Sequence, residues 1–304
     1  MPNSGDGGML PLEFQFTSRD GLRVAYGRWD SPGPADGVVQ IAHGMGEHIG
    51  RYPAVIQALV NAGFTVYGND HRGHGRTAHS SKDFGDFGEG GFDLLVEDML
   101  RLSRIAREEY PNKPFILLGH SMGSFAAQQY VIDHSREIDG LILSGSGALD
   151  RLARAASLAP AGENILNAPF EPARTAFDWL SRDNAVVDAF LHDPLCFAQL
   201  QPASQASFFA AGERLSDPTS LGKIRSDLPV YLFSGSEDPV GQQLQGVKIL
   251  IQRYRNAGLR DISRDCYPGG RHEMLNEINR AEVVENLLGW ISAVIRGAGA
   301  RVSV

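Results

Sequence analysis

Short apolar runs alternating with helical stretches constrain this 304-residue chain more than any other feature. GVVQIAHG (37–44) leads to RYPAVIQALVNAG (51–63), and FTVYGND (64–70) to FDLLVEDMLRLSRIAREEYP (92–111). PFILLGHS (114–121) leads to SMGSFAAQQYVIDHS (121–135), and IDGLILSGSG (138–147) follows. Near the C-terminus the rhythm returns: LPVYLFSGSED, QGVKILIQRYRNAG, DISRDCYPGG and EVVENLLGWISAVIRG. Strands that are apolar on both faces must be covered twice, which calls for a parallel sheet between helical layers. Residues 12–29 differ: they alternate apolar and polar around Asp20-Gly21, the pattern of an antiparallel hairpin. The expected sheet is therefore mostly parallel with an antiparallel opening.

The rhythm breaks over residues 148–227, which are rich in Ala, Pro and Asp and hold helix-like pieces such as FDWL and AVVDAFL. Eighty residues is too long for a plain loop in a compact domain. The expectation is a core of residues 1–147 and 228–304, with 148–227 inserted as a helical cap over one end of the sheet. A helical subdomain without a pocket role is the alternative.

The third residue of Gly119-His120-Ser121-Met122-Gly123 is a serine, and the pentapeptide fits G-x-S-x-G between a strand and a helix. A serine on so sharp a turn must accept a strained backbone, and side chains at 119 and 123 would meet the neighbouring strand and helix. Its hydroxyl would then stand at a helix N-terminus, where developing negative charge is favoured. A serine hydroxyl needs a base. Of nine histidines, His272 in CYPGGRHEML follows a late strand at the carboxyl edge of the sheet, where catalytic groups of open α/β sheets gather. His120 adjoins the serine, but neighbours on an elbow should point apart. Asp238 ends the preceding strand in Gly235-Ser236-Glu237-Asp238-Pro239 and can reach His272, whereas alternation would aim Glu237 elsewhere. The backbone N–H groups of Met122 and of Met45, in His43-Gly44-Met45-Gly46-Glu47-His48, are the candidate oxyanion donors. His43 and His48 read as structural, since no Cys or carboxylate with ligand spacing accompanies them, and no metal or cofactor is expected. Asp70-His71-Arg72-Gly73-His74-Gly75 reads as a structural loop tied by the Arg72 guanidinium.

The net charge of −8 argues against a nucleic-acid partner, which would need a basic surface. Two cysteines, Cys196 and Cys266, are too few for a disulfide framework and are expected as buried free thiols. MPNSGDGGMLPLEF has neither a basic nor an apolar leader region, and no apolar run reaches the ~18–20 residues of a membrane span. The expectation is a soluble cytoplasmic protein, with attachment to a lipid surface through an apolar cap left open.

HGMGEHIGRY (43–52), NDHRGHGRT (69–77), GHSMGS (119–124), SGSEDPV (234–240) and GGRHEMLNE (269–277) resemble, in this order, the monoglyceride lipase and lysophospholipase branch of the α/β-hydrolases, of serine aminopeptidase S33 type. The resemblance spans roughly 12–147 and 228–297 and is loose over the cap. Carried over by position, it makes Ser121 the nucleophile, His272 the base, Asp238 the acid, and Met45 and Met122 the oxyanion donors, as the residues alone suggest. One departure is Met45, where the mammalian lipases usually carry a small residue. The larger side chain would narrow the acyl site without touching the N–H. The expected activity is hydrolysis of a carboxylic ester through an acyl-enzyme, with a monoacylglycerol or similar single-chain ester as substrate. Lysophospholipase, short-chain or aryl esterase chemistry by the same triad is the alternative; a binding protein that kept the fold and lost turnover is the remoter one.

Overall fold

The computed structural model describes residues 9–160 and 163–302. The leader reading of the first eight residues lies outside them. Eight strands form one sheet in the order β1-β2-β4-β3-β5-β6-β7-β8. β1 (Leu12–Thr17) and β2 (Arg23–Trp29) make the antiparallel hairpin, and β2 also pairs antiparallel with β4 (Phe64–Asn69). The remaining pairs, through β3 (Gly37–Ala42), β5 (Phe115–His120), β6 (Gly140–Ser144), β7 (Val230–Gly235) and β8 (Ile262–Tyr267), are all parallel. This is the α/β-hydrolase architecture.

The strands alternate between two apolar layers, as continuous apolar runs require. Phe115 and Leu117 of β5 face one layer, with Leu141 and Leu143 of β6; Ile116, Leu118 and Ile142 face the other. The first layer is closed by α2 (Gly91–Glu109), α3 (Met122–His134) and α8 (Gln245–Asn256). The second is closed by α1 (Pro53–Asn61) and α9 (Arg280–Val302), whose Val283, Leu287 and Ile291 are fully buried. Each such side chain stabilises the fold by about 1.5–3 kcal/mol.

Between β6 and β7 the chain forms α4 (Leu149–Leu158), α5 (Asn184–His192), α6 (Pro202–Ser216) and the short α7 (Pro218–Leu221), with no strand among the described residues. AVVDAFL lies in α5. FDWL is a turn, not a helix, because Asp178 spends its carboxylate on Arg174 N–H, Thr175 N–H and the Thr175 hydroxyl. Both cysteines are free, but neither is fully buried: Cys196 is half-buried, and Cys266 is exposed because β8 is the edge strand. Among the described residues, no helix is long and apolar enough to cross a membrane.

Candidate active site

Four loops meet at the carboxyl ends of the parallel strands. The loop after β3 carries Met45, the turn after β5 carries Ser121, the loop after β7 carries Asp238, and the loop after β8 carries His272. Ser121 has φ 52° and ψ −121°, a left-handed conformation that costs a non-glycine residue on the order of 1–3 kcal/mol. The chain can turn there because its flanks are bare. A Cβ at Gly123 would stand 2.2 Å from the Ala42 carbonyl oxygen, and one at Gly119 would stand 2.4 Å from the Gly123 oxygen. Ser121 remains partly accessible at the N-terminus of α3.

Asp238 is fully buried and its Oδ1 lies 2.9 Å from His272 Nδ1. The same oxygen accepts the Val240 N–H at 2.9 Å, which fixes the carboxylate. Glu237 is exposed, as strand-end alternation demands. The His272 ring is held by that bond on one side and by the Trp179 ring, 4.9 Å away, on the other. Its Nε2 is buried without a hydrogen-bond partner. Burial would lower the imidazole pKa, but the charge and hydrogen bond of Asp238, with Glu273 and Glu47 behind it, raise it above the ordinary value.

His120 packs against His272. Its ring lies 4.8 Å from that of His272, and its Nδ1 lies 3.2 Å from the Ser144 hydroxyl. Burial, reinforced by His272, pushes its pKa down to about 4, so it stands beside His272 as a neutral ring.

The Met45 loop lies against the serine: a Cβ on Gly44 would come 3.1 Å from the Ser121 Cβ. The loop's orientation follows from its neighbours. His43 Nε2 accepts the His71 N–H at 2.9 Å, so Nδ1 carries the proton and donates it to the Gly44 carbonyl at 2.7 Å. That carbonyl shares a planar trans peptide with the Met45 N–H, which must point the opposite way. Burial brings the His43 pKa down to about 4, so this tautomer persists at neutral pH. Glu47 Oε1 takes the Gly44 N–H at 2.6 Å and finishes the turn. Among the described residues, neither the Met45 nor the Met122 N–H donates to an acceptor.

Residues 33–279 match the sequence model of the serine aminopeptidase S33 family. The chain belongs to this family. A monoacylglycerol lipase of Mycolicibacterium smegmatis is 31% identical over 283 residues, covering 92% of this chain and 96% of that protein. A monoglyceride lipase of Rattus norvegicus is 27% identical, covering 94% and 92%. Among solved structures, a thermostable carboxyl esterase of Bacillus coagulans in complex with glycerol has a TM-score of 0.84 and 31% identity, covering 94% of this chain and 99% of that one. A soluble variant of the Saccharomyces cerevisiae monoglyceride lipase, at 20% identity, covers 96% and 98% with a TM-score of 0.75 and speaks for the fold alone. This S33-family chain is a serine hydrolase.

Three features of the site could not be read from spacing. Trp179 and Leu180, from the segment between β6 and β7, offer their carbonyls to the His272 and Glu273 N–H groups at 3.3 and 2.7 Å. Glu47, Arg51 and Glu273 meet beneath the site, 222 residues apart in the case of Arg51 and Glu273. His48, read as lacking ligand-type neighbours, is joined in space by Asp193 and Cys196, with donor atoms within 4.8 Å of one another. His48 Nδ1 accepts the Gly50 N–H, so Nε2 carries the hydrogen given to Asp193 at 2.8 Å. In that tautomer Nε2 has no lone pair for a metal, and the contact fastens the loop to the insertion. Arg72, 1% exposed, ties its loop to Asp98, Asp20 and the Phe87 carbonyl at 2.8, 3.0 and 2.8 Å.

Proposed function

We propose that this enzyme hydrolyses carboxylic esters through an acyl-enzyme on Ser121, with a monoacylglycerol or similar single-chain ester as substrate. The observation that carries the reading is His272: its Nδ1 is committed to Asp238 and its Nε2 is buried and unpartnered, while Ser121 stands strained and partly accessible on the turn after β5. In the first half-reaction Ser121 Oγ bonds to the ester carbonyl carbon while its proton passes to His272 Nε2. The carbonyl oxygen becomes an oxyanion, and the Met45 and Met122 N–H groups receive it. Asp238 keeps the ring oriented and stabilises the imidazolium. The carbon–oxygen bond to the alcohol then breaks, and the alcohol leaves with the proton from Nε2. Water repeats the sequence and releases the acid. No step calls for a metal or cofactor.

The head group follows from charge and from the relatives. The protein carries a net −8, and the buried trio under the oxyanion loop adds two carboxylates to one guanidinium. Both favour a neutral glycerol ester over an anionic phospholipid head, in keeping with the names of the M. smegmatis and rat relatives. Residues 148–227 act in this reading as the cap over the acyl chain. Leu158 and Leu191, 73% and 44% exposed on it, are its apolar side chains open to a lipid surface. Residence in the cytoplasm is part of the same reading.

The test is a p-nitrophenyl ester series from acetyl to palmitoyl beside 1-monoacylglycerols, with Ser121→Ala in parallel. Turnover at medium and long chains and on monoacylglycerol, falling by about 10⁴-fold or more in the variant, is expected. Turnover that survives in Ser121→Ala overturns the nucleophile assignment. Activity confined to acetyl and butyryl esters keeps the mechanism and removes the lipid substrate.

A further inference from the structure

Beneath the two loops that carry Met45 and His272 sits a charged group that the proposed reaction does not use. Arg51 Nη1 lies 2.9 Å from Glu47 Oε2 and 2.7 Å from Glu273 Oε1, while Nη2 lies 3.0 Å from Glu273 Oε2. The side chains are 8%, 4% and 4% exposed. Glu47 Oε1 is also occupied, by the Gly44 N–H and by the Tyr52 hydroxyl at 2.5 Å. Glu273 Oε2 takes the Asn276 side-chain amide at 3.0 Å. From the insertion, the Phe190 ring of α5 lies 5.0 Å from the guanidinium carbon and covers it.

We propose that Glu47, Arg51 and Glu273 are positioning residues that fix the distance between the oxyanion loop and the loop of the base, an inference that rests on the ester-hydrolase reading. The placement argues for it. Glu47 holds the turn whose next N–H is that of Met45, and Glu273 is covalently next to His272. One guanidinium spans both, and its planar fork fixes direction as well as distance. Stability alone does not call for such a group. Buried ion pairs lose much of their attraction to desolvation, and neutral residues of similar shape are often as stable. Catalysis does call for it, since a misplacement of about 1 Å in an active site costs about 100-fold.

The trio also acts through charge. His272 is faced by Asp238 from the β7 loop, His120 from the end of β5, Glu273 on its own loop, and Glu47 from the β3 loop. His120 stays neutral, and Arg51 offsets only one of the two glutamates. The remaining negative charge favours the imidazolium that forms as Ser121 attacks.

The experiment compares wild type with Glu273→Gln and with the neutral triple variant Glu47→Gln/Arg51→Met/Glu273→Gln. Melting temperature, kcat/KM on a p-nitrophenyl ester, the second-order rate of fluorophosphonate labelling, and the His272 imidazole titration by NMR are read on each. The expected result for the triple variant is a folded protein whose kcat/KM and labelling rate fall by about 100-fold. In Glu273→Gln the His272 titration and the acid limb of kcat/KM both move to lower pH. Wild-type rates in the folded triple variant, with an unmoved His272 titration in Glu273→Gln, overturn the proposal. Should the triple variant not fold, Glu273→Gln decides alone, by titration and labelling rate. The NMR titration needs no turnover: a wild type without ester hydrolysis sinks the functional reading, while the titration still tests the trio.

Discussion

Ser121 and the glycines around it show how little freedom the nucleophile turn leaves. A methyl group on Gly123 would be driven into two backbone oxygens, those of Ala42 at 2.2 Å and His43 at 2.5 Å, and backbone cannot rotate away as a side chain can. Gly123→Ala should therefore cost about 3 kcal/mol and displace the Met122 N–H, lowering both the melting temperature and ester turnover. Thermal denaturation and p-nitrophenyl butyrate hydrolysis check this, and a variant with unchanged values refutes it. His272 gives a prediction in pH. As the proposed base it must be neutral to accept a proton, and its pKa is raised, so kcat/KM should fall on the acid side from a point above the ordinary ~6.5. Stability runs the other way. A group whose folded pKa exceeds its unfolded value contributes fully below the unfolded value and loses that contribution as pH rises through the folded one. The excess melting temperature of wild type over His272→Gln should thus shrink as pH rises above the ordinary ~6.5, while activity climbs.

The elements that the sequence declared are those whose burial is decided locally. β3, β5, β6 and β7 are continuous apolar runs with every residue buried, and α2 and α8 repeat their apolar residues at helical spacing. Ser121 and Asp238 could be picked out because each follows such a strand, and His272 because its Gly-Gly loop comes late in the chain at the carboxyl edge of the sheet, after the half-exposed β8. What stayed hidden depends on contacts between distant segments. The turn at FDWL is set by Asp178 side-chain bonds, and the pairing of Arg51 with Glu273 by the closeness of the β3 and β8 loops. The closeness of His120 to His272 was hidden for the same reason: ring packing across two strands leaves no mark in spacing. The segment that crosses the base loop is itself fastened by Arg271, whose Nη1 donates to the Asp178 carbonyl at 2.5 Å and the Ser181 carbonyl at 3.3 Å and whose guanidinium lies 4.4 Å over the Phe170 ring. Removing it in Arg271→Ala should cost about 2 kcal/mol and loosen this crossing. Hydrogen exchange should then quicken at residues 177–182 and at the His272 and Glu273 amides, with the strands unaffected. Unchanged exchange at those amides would show that the segment is held by other means.

Taken as one body, the enzyme hides its chemistry. His272 and Asp238 are 1% and 0% exposed, and the segment between β6 and β7 touches three of the surrounding loops. It reaches the Met45 loop through Phe197 N–H to the Gly46 carbonyl at 2.9 Å, the His272 loop through Trp179 and Leu180, and the loop before α2 through Gln201 N–H to the Gly85 carbonyl at 3.0 Å. The two thiols sit at opposite extremes of this arrangement. Cys196 lies inside the docked segment, and burial pushes its pKa up to about 12, so it offers almost no thiolate at neutral pH. Cys266 stands exposed on the edge strand, at the far end of the sheet from the hairpin. One equivalent of a maleimide dye should mark Cys266 and leave Cys196 untouched, as peptide mapping by mass spectrometry would show. The molecule thus carries a ready-made single point for a fluorophore or a surface tether on its edge strand.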